Sequence, residues 1–427
     1  MKLPEYSIQV KIKIIILLFF LIIINLIFFF KDKKINIAIY YISIKNGGIQ
    51  RVTALLINNL SKAMLFKLFL FINQSENDEY TINSNIKRVL IRNGTPNLIK
   101  EIKKKKIEII IYQLYNPKEI DILNNLNFVK TIIFIHCCFL SWLYLHKYNF
   151  VRIFYSSIKN TKYVISLIPF ENDYLFPKWG INSILLNDFI TYEYDNITPS
   201  DLSSKIILMM GRGYDVRKRF DLGINAMKYI VQQIPEVEMI IISNRIEQLL
   251  NLVKKLKLEN NIKFVGYSTK PEIYFKNASL NIIPSSTESF SLTLCETKLY
   301  GIPNIVTGLE YLSPIKGGVI NLYNDTPQNI AKEAIKILNN ITYRKYLGEE
   351  ARKSMKEFKN EYTTKKWIEL IFSIYKGQNY YDNLRKNAKK ISKKEALIIL
   401  KNQIELLKKR EPVYKNISLD KIINLIK

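Results

Sequence analysis

Histidine and glycine are scarce in this chain of 427 residues, two and fourteen respectively, and cysteine occurs three times. Cys137 and Cys138 are adjacent and Cys295 is remote, so neither a disulfide framework nor a structural zinc spacing can be drawn. No Asp-x-Asp pair occurs, nor a G-x-S-x-G elbow or a Walker loop. Divalent-metal chemistry, an elbow-type serine nucleophile and a P-loop site are therefore not expected. An RNP, zinc-finger or helix-turn-helix signature is missing too, which argues against nucleic acid as the partner.

Positive charge is abundant. Sixty-four Lys and Arg face thirty-seven Asp and Glu, a formal charge of +27. Such an excess suits an anionic partner such as membrane headgroups or a phosphorylated substrate. The chain is also rich in Ile, Lys, Asn, Tyr and Phe, a skew that an AT-rich genome produces without selection for charge. With 48% hydrophobic residues, wholesale disorder is excluded. At roughly 150 residues per domain the length gives two or three domains.

The apolar run Ile14 to Phe30 is broken only by Asn25 and bracketed by Lys11, Lys13, Lys31, Lys33 and Lys34. It is long enough for a membrane span and lacks the small-x-small site of a cleaved signal. We read residues 1–33 as an uncleaved single-pass anchor, partnered with the membrane through 14–30. Its flanks are equally basic, so the side on which the rest of the chain lies is open.

Near-continuous apolar segments follow: Ile35 to Tyr41, Lys67 to Ile72, Ile107 to Tyr112, Thr131 to Ile135, Tyr163 to Ile168 and Ser183 to Leu186. Each pair is separated by enough chain for a crossover, as buried parallel sheets require. Residues 34–194 are thus expected to form a doubly wound α/β domain. The polar stretch 195–204 is read as a linker. A second series of alternating strands and helices runs over 205–360, and 361–427 reads as helices ending in a basic tail with the apolar stripe Ala396-Leu397-Ile398-Ile399-Leu400. That tail suits a solvated appendage or a helix docking on a membrane surface or partner.

Two such domains place a cleft between the carboxyl ends of their sheets. Four places on those ends could carry chemistry. Gly47-Gly48, before a helix over Val52 to Leu60, lets backbone amides approach an anion, although a glycine pair also makes a simple tight turn. Arg212, Arg217, Lys218 and Arg219 converge on the loop after strand Lys205 to Met210, a set suited to a diphosphate or to plain solvation. Glu288, within Ser286 to Ser291, and Glu296 flank a helix N-terminus. There they can accept from sugar and ribose hydroxyls while first-turn amides face a phosphate. His136 ends the strand Thr131 to Ile135 and can act in the cleft or pack in the core. His146, among Trp142, Tyr144 and Tyr148, is assigned to packing.

Jointly, Gly47-Gly48, Gly211-Arg212 with Lys218, and the E-x7-E pair Glu288 and Glu296 resemble glycosyltransferase family 4, the group 1 retaining transferases of GT-B fold. The likeness is best over 205–340, through Phe264-Val265-Gly266-Tyr267, Ile283-Pro284-Ser285 and Tyr300-Gly301-Ile302-Pro303. It implies two Rossmann-like domains facing a cleft, preceded here by the transmembrane helix. It also implies transfer of a sugar from a nucleotide-diphosphate donor to a glycan or lipid-linked acceptor, with retention and without an essential metal or other cofactor. Arg212 and Lys218 then look like the diphosphate clamp, Glu288 like the donor-sugar contact, Glu296 like the ribose contact and His136 like a residue near the reacting centre. Gly47, Gly48, Ser289, Phe290 and Ser291 fall in the donor-binding loops. Ser289 and Ser291 stand where the family often has glycine, and the loop from Arg212 to Lys218 is one residue longer than usual. Arg219 stands where a glycine is common, so Arg217 or Arg219 can share the clamp. The competing expectation is a catalytically idle relative that binds a sugar or nucleotide, or acts as a scaffold.

Overall fold

The computed structural model describes residues 34–425 except 46, 75–79, 93, 146–147, 245 and 269. The expected anchor and His146 lie outside the described residues. Among the described residues no helix is long and apolar enough to cross a membrane.

Two parallel sheets form, one in each half of the chain. The first comprises β1 (Ile35–Tyr41), β2 (Phe66–Ile72), β3 (Lys87–Leu90), β4 (Ile109–Tyr112), β5 (Lys130–Phe134), β6 (Tyr163–Ser166) and β7 (Ser183–Leu185). Their spatial order is β3-β2-β1-β4-β5-β6-β7. Isoleucine, leucine and phenylalanine fill its central strands because crossover helices cover both faces; β4 is buried along its whole length. The second sheet comprises β8 (Ile206–Met210), β9 (Glu238–Ile242), β10 (Ile262–Phe264), β11 (Leu280–Ile283), β12 (Asn304–Val306) and β13 (Val319–Asn321), in the order β10-β9-β8-β11-β12-β13. The order of the first sheet reverses between β1 and β4, paired from Ile37 against Ile109 to Tyr40 against Tyr112, and that of the second between β8 and β11. Those reversals open the crevices in which doubly wound sheets take ligands. Strands β3 and β13 were not singled out from the sequence.

Six helices matter below: α1 (Gly48–Lys62), α2 (Phe139–Leu145), α3 (Phe220–Gln233), α4 (Leu292–Leu299), α5 (Asn360–Lys376) and α6 (Lys393–Arg410). Helix α1 begins after β1, α3 after the β8 loop and α4 after the β11 loop. The chain returns to the first lobe through α5, where Trp367 packs edge-on to Phe134 at 5.3 Å and Phe372 lies 5.8 Å from Phe66. Lys130 Nζ donates to the last carbonyls of α5, Ile374 O at 2.8 Å and Tyr375 O at 2.7 Å, which places a cation at a helix C-terminus. The segment 195–204 is tied to the second lobe: the Ser200 hydroxyl lies within 3.0 Å of Lys276 O and 2.8 Å of Ala278 O.

The basic tail departs from both sequence expectations. Ala396, Leu400, Ile404 and Leu407 follow the helical period down one face of α6 and are buried in a core cluster shared by the two lobes. Trp179 Nε1 donates to Ile422 O beyond it, at 3.2 Å. The tail is an internal brace, because its apolar stripe finds a partner within the same chain.

Candidate active site

The carboxyl ends of both sheets line one cleft of about 550 Å³. Gly47, Gly48, His136, Arg212, Lys218, Glu288, Ser289, Phe290, Ser291 and Glu296 all line it, so the candidates from four separate stretches come together. Helices α1 and α4 both begin at the cleft, one from each lobe. Neither carries a side-chain cap or an acidic residue in its first turn, leaving amide donors and two positive dipole ends on facing walls.

Gly47 leads into α1 with φ of 143°, a conformation that side chains rarely adopt, and a Cβ there would sit 2.3 Å from Gln50 Oε1 and push that side chain aside. Ser291, where glycine was the family expectation, holds φ 64° and ψ 82°. The serine keeps the left-handed turn at some cost in strain, so the backbone route into α4 survives the substitution.

The clamp residues divide. Lys218 Nζ donates to Glu288 Oε1 at 2.6 Å, and Ser285 Oγ donates to the same oxygen at 2.7 Å. Tyr311 fixes the backbone of Glu288: its hydroxyl accepts from Glu288 N at 3.0 Å and donates to Glu288 O at 3.1 Å. Arg212 is half exposed at the rim and donates to Asp215 Oδ2 at 2.9 Å. Arg217 grips Asp215 with two bonds, Nε to Oδ1 at 2.9 Å and Nη2 to Oδ2 at 2.7 Å, and lines the cleft. Burial raises the pKa of Asp215, but the hydrogen bond and charge of Arg217, with Arg212, outweigh it and hold the carboxyl below its ordinary range. Arg219 turns away, bonded to Asp325 behind the loop, so of the two additional candidates only Arg217 lines the cleft.

Glu296 differs most from its expected setting. Its carboxylate is not exposed at all. Oε1 accepts from Arg51 Nη1 and from Thr191 Oγ1, both at 2.6 Å, and Oε2 is buried without a partner among the described residues. Burial drives its pKa up against the pull of Arg51 and Thr191. Arg51 belongs to α1 in the opposite lobe, so this ion pair spans the cleft.

His136 is flanked on both sides. Nε2 lies 2.7 Å from Gln113 Oε1, and Nδ1 lies 3.6 Å from Asp188 Oδ1. Its ring packs on Phe134 at 4.0 Å. The loop after β5 is stitched to the second lobe by Cys138 N donating to Ser289 Oγ at 2.8 Å and Ser141 Oγ to Thr287 Oγ1 at 2.8 Å. Glu171 holds that loop from behind by accepting from Phe139 N at 2.7 Å, and burial pushes its carboxyl up to about 8. Burial also raises the Cys137 thiol, which opposes a thiolate role at the cleft wall. Among the described residues no cluster of three or more His, Cys, Asp or Glu side chains could hold a metal ion.

Arg51, Gln113, Asp188, Thr191, Asp215 and Tyr311 escaped the sequence reading as individual site residues. Arg51 sat in plain view within Gly47 to Val52, and the acidic residue between Arg212 and Arg217 was a usable signal; the others carry none without a fold.

Fold and cleft together define a two-lobed α/β protein with a cation-lined site where the two sheets' crevices meet. Residues 192–354 match the family described as "Glycosyl transferases group 1". That stretch thus matches a group 1 glycosyltransferase domain, and the two sheets take a GT-B-like fold. It is 27% identical over 195 residues to an N-acetyl-alpha-D-glucosaminyl L-malate synthase of Bacillus anthracis, covering 44% of this chain and 48% of the relative. It is 24% identical over 184 residues to a poly(glycerol-phosphate) alpha-glucosyltransferase of Bacillus subtilis, covering 41% and 27%. The chain spans about half the length, or less, of these relatives. Among solved structures, sucrose-phosphate synthase of Thermosynechococcus elongatus superposes with a TM-score of 0.69 at 15% identity, over 80% of this chain and 100% of that one. HepE of Anabaena, in complex with UDP and glucose, superposes with 0.65 at 15% identity, over 79% and 99%. At such identities the likeness is one of fold.

Proposed function

We propose that the protein transfers a sugar, with retention, from a nucleotide-diphosphate sugar to a glycan or lipid-linked acceptor, while residues 14–30 anchor it in a membrane. The Lys218–Glu288 pair, facing His136 across the cleft and flanked by two helix N-termini, carries this reading. As the glycosidic bond breaks, negative charge grows on the departing diphosphate. Lys218, Arg212, Arg217 and the first-turn amides of α4 are fixed cations and donors there. They stabilise the charge more in the transition state than in the ground state. Glu288 orients the sugar hydroxyls, Lys218 holding its carboxylate in place. His136, set by Gln113 and Asp188, faces the reacting carbon from the first lobe, and Glu296 serves the ribose once Arg51 gives way. The charge compensation comes from side chains and amides, so the reaction is expected to run without an essential metal.

Full-length protein in detergent should release nucleoside diphosphate from one member of a nucleotide-sugar panel, and EDTA should leave the rate unchanged. Lys218→Ala and Glu288→Gln should each lower kcat by 100-fold or more, on the order of a lost charged donor in a transition-state site. A panel with neither turnover nor nucleotide binding refutes the proposal. Binding without turnover makes the protein the idle relative instead.

A further inference from the structure

The clamp loop and the Glu288 loop are both bolted to a residue of the C-terminal brace. Arg410 ends α6 and its side chain is 5% exposed. Nη1 donates to Ser286 O at 2.9 Å, Nη2 to Thr307 O at 3.1 Å and Nε to Asp325 Oδ2 at 3.0 Å. Ser286 lies two residues before Glu288, and its own amide donates to Arg217 O at 2.7 Å. Asp325 also accepts from Arg219, the residue after Lys218, and from Lys409 Nζ at 3.3 Å. Asp325 thus holds the side chain of Arg219, next to Lys218, and Arg410 holds the carbonyl of Ser286, near Glu288, and neither lines the cleft.

We propose that Arg410 and Asp325 are positioning residues for the diphosphate clamp, and that α6 ties their geometry to the first lobe. The same buried face of α6 supplies the second half of the argument. Gln403 Nε2 donates to Gly308 O at 2.8 Å in the second lobe, while Ala396, Leu400, Ile404 and Leu407 are packed in a cluster that joins first-lobe residues such as Phe139 and Trp179 to second-lobe residues such as Leu309 and Leu312. Tyr414 Oη donates to Leu143 O at 2.6 Å in α2, the helix that follows the His136 loop. Three acceptors in different directions need the planar fork of a guanidinium, which an ammonium cannot match. Burial raises the pKa of Asp325, yet Arg410 and Arg219 overcome it and hold the carboxyl down at about 2; the charge is kept throughout the physiological range.

This inference rests on the proposed donor site, and calorimetry separates the two. Full-length protein is titrated with UDP, GDP, ADP and CDP, and with the matching nucleosides. For the diphosphate that wild type binds, Arg410→Ala and Asp325→Asn should weaken affinity about tenfold or more, the scale of a charge-assisted bond, while nucleoside affinity stays within twofold. Arg410→Lys should regain little. In a Lys218→Ala background the further change Arg410→Ala should cost less than twofold, since the clamp it positions is already gone. Lys408→Ala, a half-buried neighbour paired with Glu405, serves as the control. Loss of diphosphate and nucleoside affinity together would mark Arg410 as merely structural and overturn the inference, as would unchanged diphosphate affinity in Arg410→Ala. Failure of wild type to bind any of the four diphosphates would instead sink the donor-site proposal.

Discussion

Replacing Arg51 by Met tests whether the two lobes are latched across the cleft. The Arg51–Glu296 pair is 2.6 Å long, its guanidinium 15% exposed and its carboxylate fully buried. With charge centres about 4 Å apart and an effective dielectric of about 20, the attraction is about 4 kcal/mol. Removing both ions from water takes back most of that. The net worth of the pair is therefore small, but breaking it from one side is costly. Arg51→Met leaves the carboxylate with Thr191 alone and should destabilise by about 3 kcal/mol. Glu296→Gln leaves a guanidinium that water still reaches, and should lose about 1 kcal/mol. With both charges gone, the double variant should stand within about 1 kcal/mol of wild type, a coupling of about 3 kcal/mol.

Urea unfolding of the four proteins measures the cycle, and its pH dependence adds a second check. Burial already places the Glu296 carboxyl above its ordinary 4.5, and without Arg51 it must rise further. A carboxyl whose folded pKa exceeds its unfolded pKa contributes stability below the unfolded value and loses it as pH climbs through the folded one. The Arg51→Met deficit should accordingly be largest near pH 8 and shrink toward pH 5. Additive energies, or a deficit indifferent to pH, would refute the latch.

Two further substitutions probe local strain and a buried charge. Ser291→Gly relieves a left-handed residue at the entry to α4; strain relief of about 1–2 kcal/mol, less the entropy glycine adds to the unfolded chain, leaves a gain of about 0.5 kcal/mol. A loss above about 1 kcal/mol by chemical denaturation would show that the serine side chain holds the turn. Glu171→Gln keeps an oxygen for Phe139 N but removes a carboxyl lifted from 4.5 to about 8. Wild-type stability should fall between those two pH values, by at most about 1.4 kcal/mol per unit, and the variant should lack that slope. Parallel pH profiles of the two proteins would contradict the burial argument.

The central strands were legible because a strand buried on both faces must be apolar almost throughout, as in Ile109–Tyr112. The edge strands β3 and β13 were not, although the opposite edges β7 and β10 were. In β3, Lys87 and Arg88 are exposed and Val89 and Leu90 only half-buried; β13 has three residues, all partly exposed. An edge has no second neighbour to demand an apolar run. The charged cleft residues were legible for a different reason: they cluster in loops at strand ends, where doubly wound sheets place ligands. Their partners were hidden by distance along the chain, since Arg51 and Glu296 are 245 positions apart. For α6 the sequence showed an apolar stripe but could not show that the stripe's cover lies in the same chain.

The ties across the cleft converge on one segment. Thr287 and Ser289 receive bonds from Ser141 and Cys138 of the first lobe, Ser286 from Arg410, and Glu296, one helix turn beyond, from Arg51. Glu288 sits in the middle of that segment, its backbone held by Tyr311. Separating the lobes would break the bonds on either side of Glu288 together, while the Lys218–Glu288 pair, made within the second lobe, would stay; lobe closure brings that pair and the His136 loop together. On the proposed function, a nucleotide that takes Glu296 from Arg51 removes one of these ties. Arg51→Met should therefore raise kcat while weakening donor affinity if product release limits turnover, and lower both if closure does. Single-turnover and steady-state rates measured on the same variant distinguish the two cases; a variant that matches wild type in both would mean the latch has no part in turnover.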